Sequence, residues 1–304
     1  MRTLTYKIES EFDGAKVRDV LTKRFLISGG LCSKLKRRKN GILVNGFPSY
    51  VIVPVHTGDL VSVIVSDLEK DPHIQPISYP IDIIYEDEDL LVINKPAGLA
   101  VHPSRDPKEA TLENALAYYL GPDENPHPVS RLDKDTTGLI MIAKSGWAHS
   151  VMKTVQHAEQ MQKNYLAIVK GCPSQQSGII DAPIGLLEGS KYQHVVRDDG
   201  LPSVSEYQVI STLNDLSLVL LTLHTGRTHQ LRVHMAYMGC PLLGDWLYGV
   251  RDSRISRPAL HSYYLSFTHP LTNRVIDLSA PYPEDMKQVF PYAFYSDSTL
   301  LRHS

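Results

Sequence analysis

Cysteine is scarce in this chain and is never closely spaced. The 304 residues include three cysteines, Cys32, Cys172 and Cys240. An odd number argues against a disulfide framework, and cysteines so far apart cannot form a zinc knuckle on their own. We therefore expect a protein of a reducing compartment.

Long apolar runs are missing as well. The first residues, MRTLTYKIES, lack the apolar centre of a secretory signal, and no run approaches the roughly 20 residues of a membrane span. The formal net charge is −2, so no field of the whole protein attracts RNA or a membrane. These absences predict a soluble, cytoplasmic protein.

Cofactor and metal signatures are also lacking. Neither GxxxxGK[ST] nor GxGxxG follows any predicted strand, so we predict that no nucleotide cofactor is bound. HExxH is missing, and His224, His229 and His234 follow one another at intervals of five residues, a poor spacing for one helical face. We predict no metal site, and we expect these histidines to cap elements and form core hydrogen bonds.

Positive charge is concentrated near the N-terminus. The segment from Lys16 to Lys39 has Asp19 as its only acid and contains nine basic residues: Lys16, Arg18, Lys23, Arg24, Lys34, Lys36, Arg37, Arg38 and Lys39. Such a cluster can follow a phosphate backbone although the whole chain is slightly acidic. A solvated helix face explains a bare basic run equally well, so charge alone leaves both interpretations open.

The same segment has the pattern of a small compact module. VRDVLTKRF has helical spacing, Ser28-Gly29-Gly30 interrupts it, LCSKLKRRKNG predicts a second helix, and ILVNG and GDLVSVIV predict a strand, a turn and a strand. The module resembles the RNA-binding domain of ribosomal protein S-four type, the alpha-L motif. This likeness lies in Lys34-Leu35-Lys36-Arg37, Gly41, Val44-Asn45-Gly46 and Gly58-Asp59. It implies RNA binding by Lys34, Lys36, Arg37 and Arg38.

A short segment of linker composition follows the module. LEKDPHIQPISYP, residues 68–80, mixes proline and charge with few apolar residues. We therefore predict a small basic domain at residues 1–67, a linker at 68–80 and a second domain at 81–304.

Strands outnumber helices beyond this linker. Apolar or alternating runs predict strands at LLVINK, LIMIAK, NYLAIVKG, EYQVIST and SLVLLTLH, and two more between Leu260 and Asp277. Helices are predicted after Thr111 as N-cap, from about Trp147 to Met161, and in THQLRVHMAYM with Thr228 as N-cap. Because strands and helices do not alternate regularly, we predict an α+β fold with a large mixed, mostly antiparallel sheet and flanking helices.

Two aspartates stand just before the buried strand LIMIAK, in the stretch SRLDKDTTG. Asp135 precedes Thr-Thr-Gly, a setting typical of a turn former. Asp133 follows Leu132, which we expect to point inward, so its carboxylate needs a partner such as Arg131 or Arg227 in the Gly-Arg-Thr-His helix start. On these residues alone, a structural ion pair is favoured over a catalytic site.

Four long stretches, spread along the chain, favour a catalytic site over a structural ion pair. They are DEDLLVINKPAGLAVHP, SRLDKDTTGLIMIAKS, KNYLAIVKG and HTGRTHQLRVHMAYMGCPLLGDWLYG, and ALHSYYLSFTHPLT follows them. Together they resemble the RluA family of RNA pseudouridine synthases over about residues 81 to 285. An N-terminal RNA-binding module is a common companion domain in that family.

The resemblance implies roles for four residues. Asp133 matches the catalytic aspartate, and Arg232 matches the basic residue that pairs with it. Tyr165 matches the tyrosine that stacks on the flipped base and handles the proton on carbon five. Arg131 matches the arginine that fills the gap left in the RNA. Ser130 replaces the histidine usual before Arg-Leu-Asp, a departure that concerns how the loop holds RNA.

The function that the resemblance implies is isomerisation of uridine to pseudouridine in structured RNA. Large-subunit ribosomal RNA is the first expected substrate and transfer RNA the second, with a monomeric enzyme and no cofactor. An RNA-binding or ribosome-assembly protein without catalysis is one alternative, which the basic module supports. A glycoside hydrolase using Asp133 and Asp135 is another, disfavoured because so little aromatic content surrounds these two carboxylates.

Overall fold

The computed structural model describes residues 2–67, 72, 74–102, 109–121, 124–158 and 160–291. The predicted linker at 68–80 and the predicted domain at 81–304 therefore lie partly outside the described residues. Within those residues, no helix is both long enough and apolar enough to cross a membrane.

The first part of the chain forms a small sheet with two helices. The strands lie in the order β1 (Thr3–Lys7), β4 (Leu60–Ile64), β2 (Ile42–Val44) and β3 (Phe47–Pro48). Between β1 and β2 the chain forms a 3-10 turn at Ser10–Phe12 and helices α1 (Val17–Lys23) and α2 (Gly29–Arg37). Ser28 is the N-cap of α2, and its Oγ accepts a hydrogen bond of 3.3 Å from the Leu31 N–H. The prediction that both glycines belong to the break is therefore wrong, because they form the first turn of α2.

The rest of the chain is built on one large sheet. Its main strands lie in the order β10 (Ser177–Asp181), β13 (Val204–Leu213), β14 (Leu216–Leu223), β9 (Met161–Lys170), β15 (Leu260–Thr268), β8 (Thr137–Ala143), β6 (Leu90–Lys95) and β5 (Ile83–Glu86). β16 (Val275–Ser279) pairs with β15, β7 (His127–Pro128) pairs with β8, and β11 (Ile184–Leu186) and β12 (His194–Val196) form a separate hairpin. β15 and β8 are parallel, whereas the other pairs of described strands are antiparallel. The predicted mixed, mostly antiparallel sheet is confirmed.

Four helices flank this sheet: α3 (Leu112–Leu120), α4 (Gly146–His157), α5 (Gln230–Tyr237) and α6 (Glu284–Val289). The predicted N-cap of α3 is confirmed, since Oγ1 of Thr111 accepts a hydrogen bond of 3.4 Å from the Asn114 N–H. The predicted N-cap of α5 is wrong. That helix begins at Gln230, and His229 rather than Thr228 is its N-cap residue.

Alternating side chains of β6 separate two hydrophobic layers. Leu90 and Val92 pack with α4 on one face, whereas Leu91 and Ile93 pack with α5 and Tyr165 on the other. The α5 face carries the residues expected to act on the substrate.

The N-terminal module docks on the α4 face, close to the end of β8. The Trp147 indole N–H donates a hydrogen bond of 2.8 Å to the Phe25 carbonyl, and the guanidinium of Arg2 binds Asp89 with its Nε 2.8 Å from Oδ1. Oδ1 of Asp67 accepts from the Gly146 N–H at 3.0 Å. Buried apolar side chains of the module and of the α4 face form one continuous cluster. The domain boundary at residue 67 stays a prediction, and these contacts show that the two parts are packed together.

Candidate active site

Asp133 lies in the loop that leads into β8. Leu132 before it is buried, Arg131 is exposed, and the loop closes with a main-chain hydrogen bond of 3.1 Å from the Thr136 N–H to the Asp133 carbonyl. The side chain of Asp133 is 29% exposed. Its carboxylate is therefore anchored by a buried neighbour and a fixed turn while it remains open to a substrate.

Arg232 on α5 connects this carboxylate to the protein interior. Its Nε lies 2.7 Å from Oδ2 of Asp245 and its Nη2 lies 2.9 Å from Oδ1, a two-bond contact with a fully buried carboxylate. The remaining Nη1 donates a hydrogen bond of 3.1 Å to Oδ2 of Asp133. One guanidinium thus bridges a buried acid and a half-buried one.

The charges around Arg232 offset the cost of burying it. Burial alone would lower the pKa of Arg232, but the hydrogen bonds and charge of Asp245, with the charge of Asp133, raise it above the usual value. Asp245 is itself held by the backbone N–H groups of Leu247 and Tyr248, which donate to Oδ1 at 3.1 and 3.2 Å. Arg232 is consequently a fixed positive charge beside Asp133.

Tyr165 lies on β9 in the hydrophobic layer that also includes Leu132. Its side chain is buried, and burial raises the pKa of Tyr165 to about 12. A hydrogen bond with Ser262 lowers that pKa in part, and the negative charge of Asp133 raises it further. The phenol and the Asp133 carboxylate are therefore electrostatic neighbours, and the phenol keeps its proton at neutral pH.

Lys95, which the sequence interpretation overlooked, is fully buried at the end of β6. Its Nζ donates hydrogen bonds to the carbonyls of Pro96 at 2.7 Å, Leu99 at 3.0 Å and Lys134 at 2.9 Å. Burial lowers the pKa of Lys95 to about 8, although the charges of Asp135 and Asp133 oppose that change. The side chain therefore links the turn after β6 to the loop of Asp133. The sequence signal that could have indicated a buried lysine is its position at the end of the apolar run LLVINK.

A second overlooked group surrounds His229. Its Nε2 lies 3.9 Å from Oδ2 of Asp133, and its Nδ1 lies 2.8 Å from the hydroxyl of Tyr248. That hydroxyl accepts a hydrogen bond of 3.0 Å from the backbone N–H of His194 in β12. The Tyr248 ring also lies under Arg232, with 5.1 Å between the guanidinium carbon and the ring centroid.

The three evenly spaced histidines have different surroundings. His234 is buried and contacts the Ser205 hydroxyl and the Ala182 carbonyl, both at 3.0 Å, as expected for a core hydrogen bond. His224 is exposed and lies 3.3 Å from Glu206. Within the described ranges, no group of three or more His, Cys, Asp or Glu side chains could hold a metal ion.

The predicted RNA-binding residues of the N-terminal module lie at the end of α2. Lys34, Lys36 and Arg37 are exposed on that helix. Arg38 follows as its C-cap and is partly buried, and its Nη1 is a buried atom without a hydrogen-bond partner among the described residues. The module that carries this helix contacts Trp147 and Gly146 beyond one end of β8, whereas Asp133 lies before the other end.

Known proteins are similar in sequence to the region that contains these site residues. A family model described as RNA pseudouridylate synthase matches residues 89–237. An RNA pseudouridine synthase of Bacillus subtilis (strain 168) described as uncharacterized, YjbO, is 38% identical over 266 residues, which cover 86% of this chain and 94% of that protein. The ribosomal large subunit pseudouridine synthase D of Escherichia coli O157:H7 is 33% identical over 287 residues, which cover 89% of this chain and 82% of that protein.

A solved structure agrees with these relatives. Human RNA Pseudouridylate Synthase Domain Containing 1 has a TM-score of 0.61 and 26% identity, and the match covers 75% of this chain and 96% of that one. Asp133, Tyr165 and Arg232 all lie inside the segment that the family model matches. By sequence and by fold, this chain belongs to the RluA-type family of RNA pseudouridine synthases and is an isomerase.

Proposed function

We propose that this enzyme converts specific uridines of structured RNA to pseudouridine with Asp133 as the reacting carboxylate. The observation that carries the proposal is the contact of 3.1 Å between Arg232 and an Asp133 side chain that is 29% exposed. A carboxylate with a fixed counter-charge, open on one side and close to a buried tyrosine, suits a reaction at the sugar of a nucleoside.

The chemistry needs little more than this carboxylate. In one route an oxygen of Asp133 bonds to C1′ while the C1′–N1 electron pair leaves with uracil. C5 then attacks C1′ and expels the carboxylate. In the other route Asp133 takes the C2′ proton as uracil leaves with the C1′–N1 electron pair, and returns it to C2′ when C5 adds to C1′ of the resulting double bond. In both routes C5 finally gives up its proton, and N1, which kept the electron pair, takes one up. Both routes conserve atoms and electrons, so neither requires an oxidant or a reductant.

Arg131 and Tyr165 have complementary roles in this proposal. A stacked base cannot reach the carboxylate, so the uridine flips out of the RNA at a cost of a few kcal/mol. Arg131 is exposed beside the Asp133 loop and would occupy the space that the base leaves. Stacking of the flipped base on the Tyr165 ring returns about 1–3 kcal/mol.

The substrate class is also part of the proposal. The basic face of α2 supports an RNA-binding module of ribosomal protein S-four type, which would add phosphate affinity independent of sequence. Relatives named ribosomal large subunit pseudouridine synthase D support large-subunit ribosomal RNA as the first candidate. Transfer RNA remains the second candidate, from the family resemblance alone. A ribosomal substrate would also place the enzyme in the cytoplasm, and we expect it to act as a monomer.

Release of tritium from RNA labelled at C5 of uracil tests the catalytic assignment. Asp133→Asn should lower turnover at least about 1,000-fold while RNA affinity is retained, because only the reacting charge is removed. Asp135→Asn is the matched control and should turn over like the wild type. Wild-type turnover by Asp133→Asn would refute the assignment. RNA binding without any pseudouridine in the wild-type product would favour the non-catalytic alternative.

Sequencing of pseudouridine in total RNA, with and without the gene, identifies the substrate. Loss of sites confined to large-subunit ribosomal RNA is expected. Loss confined to transfer RNA would overturn the first choice of substrate and leave the reaction itself unchanged.

A further inference from the structure

We infer that His229 is a positioning residue for Asp133. Together with Arg232 it holds the Oδ2 oxygen, so that Oδ1 is the oxygen that reacts with the nucleoside. The inference rests on the proposed function, because it concerns the same carboxylate. It assigns a role to a histidine that lies outside the set expected from the sequence.

The direction of the contacts follows from counting donors. The His194 backbone N–H always donates, so the Tyr248 oxygen accepts at 3.0 Å. The Tyr248 hydroxyl then donates its hydrogen to Nδ1 of His229 at 2.8 Å. The opposite arrangement would leave that hydroxyl hydrogen without an acceptor among the described residues. Neutral His229 therefore carries its hydrogen on Nε2, the nitrogen nearest to Asp133.

Both contacts of the Asp133 carboxylate end on the same oxygen. Arg232 Nη1 lies 3.1 Å from Oδ2, and His229 Nε2 lies 3.9 Å from it. The second distance is too long for a hydrogen bond, but catalytic hydrogen bonds often shorten only when the substrate is bound. Within the described ranges no residue donates to Oδ1, which is left to face the substrate.

The surroundings of His229 keep the ring in place and neutral. The charged or titratable groups around it are Asp133, Arg232, His194 and Asp245, together with the Tyr248 hydroxyl that binds Nδ1. Burial lowers the pKa of His229, the charge of Asp133 opposes this, and the charge of Arg232 adds to it. When the contact shortens on substrate binding, a neutral ring would donate one hydrogen to the carboxylate without neutralising its charge, so the nucleophilicity of Asp133 would be preserved.

The backbone at His229 is held in an unusual conformation. Its φ of 57° and ψ of 18° are left-handed, a region uncommon for residues other than glycine, although histidine is among those enriched there, and the residue immediately precedes α5. Such strain is maintained only where the surrounding structure fixes it, and it concentrates at functional sites. Here it turns the imidazole of an N-cap residue away from the helix end and toward Asp133.

Two substitutions separate the side-chain donor from the backbone effect. His229→Asn tolerates the left-handed conformation and can still accept from Tyr248, but its amide is too short to donate to Asp133. His229→Gln carries an amide N–H near the position of Nε2. We expect kcat to fall about 10- to 100-fold in His229→Asn, with KM and RNA affinity unchanged, and to recover in large part in His229→Gln. His224→Gln, in an exposed histidine of the same segment, is the matched control and should behave like the wild type.

Nitrogen-15 NMR of histidine-labelled protein measures the tautomer directly. The expected result is a protonated Nε2 in His229 of the wild type and a mixture of tautomers in Tyr248→Phe. A protonated Nδ1 in the wild type, or wild-type kcat in His229→Asn, would overturn the inference. If these results occur while Asp133→Asn is inactive, His229 is ruled out and the proposed function stands. If Asp133→Asn is active, the proposed function fails first.

Discussion

Arg232 and Asp133 are separated by 99 residues in the chain, yet the guanidinium of one donates a hydrogen bond of 3.1 Å to the carboxylate of the other. The same guanidinium is held from behind by Asp245, which is fully buried. The position of the Asp133 carboxylate is thus determined from the core outward, through one planar cation with fixed geometry.

Removing the charge of Asp245, the buried partner of Arg232, should lower both stability and turnover. In Asp245→Asn the guanidinium loses its compensating charge, so we expect a loss of roughly 3–5 kcal/mol in the free energy of unfolding and a large loss of turnover. Urea denaturation and the tritium assay measure the two effects. Asp252→Asn, which breaks the more exposed pair with Arg254, should cost less than about 1 kcal/mol and leave turnover intact. Equal stability of the two variants would contradict this account.

Loss of the Tyr165 hydroxyl should affect turnover rather than binding. Tyr165→Phe keeps the ring that we propose stacks on the base, but it removes the hydroxyl to which the proposal assigns the C5 proton. General acid–base groups contribute about 100- to 10,000-fold, so we expect kcat to fall at least 100-fold with RNA affinity unchanged. Tyr207 is a buried tyrosine in the same hydrophobic layer, so Tyr207→Phe is the control and should have the kcat of the wild type. Normal kcat in Tyr165→Phe would assign the proton transfer to another group.

The contact between module and catalytic region should depend on Trp147. Trp147→Phe leaves the buried Phe25 carbonyl without its donor, so we expect unfolding to become easier by about 1–3 kcal/mol. The chain has two tryptophans, and Trp246 is 50% exposed. Trp246→Phe should therefore change stability by less than about 0.5 kcal/mol. Chemical denaturation followed by circular dichroism compares them. If Trp147→Phe is as stable as the wild type, the contact between the module and the α4 face contributes little to the free energy of unfolding.

Acid should weaken the same contact through Asp67. Burial alone would raise the pKa of Asp67, but the hydrogen bond and charge of His127 and the Gly146 N–H bring it below the usual value. A lowered pKa means that the stabilisation is fully present above the unfolded value of about 3.9 and is lost as the pH falls through the folded value. We expect Asp67→Asn to be about 1–3 kcal/mol less stable than the wild type at pH 7. The difference should shrink as the pH falls below the unfolded value of about 3.9, and a difference that does not depend on pH would contradict the assignment.

The basic end of α2 should contribute affinity that depends on salt. Substitution of Lys34, Lys36 and Arg37 by glutamine removes three exposed charges. If all three neutralise phosphates, the slope of log affinity against log salt should decrease in magnitude by roughly 2–3. Lys287→Gln on α6 is the control. An unchanged slope in the triple variant would favour the solvated helix face left open by the sequence.

The parts of the fold with strong local patterns could be predicted from the sequence. LLVINK is a strand because its apolar run is bounded by an acidic turn and a proline, and Thr111 supplies a cap that is visible in the chain. The Gly29-Gly30 pair led to the wrong prediction of a helix break. A serine N-cap and the buried Cys32 and Leu35 outweigh the low helix propensity of glycine.

The partners within the site could not be predicted in this way. Asp245 follows Arg232 by 13 residues, and their contact depends on a turn after α5 that has no periodic pattern. His229 was interpreted by its spacing from other histidines, whereas its environment is set by Tyr248 and by a left-handed backbone. Resemblance to a family identified Arg232, but contacts between distant segments are visible only in three dimensions.

The N-terminal module docks at one end of β8, and Asp133 lies before the other end. An RNA that contacts both regions must therefore span at least the length of this strand. Seven residues of strand span on the order of 20 Å, and the two regions also lie on opposite faces of the sheet. If α2 binds RNA as proposed, a short oligonucleotide bound at Asp133 would end before it meets that helix, and its modification should be indifferent to the charge of α2. Only a folded RNA of several helical turns would contact both regions, so the size of the substrate would become a criterion of its recognition.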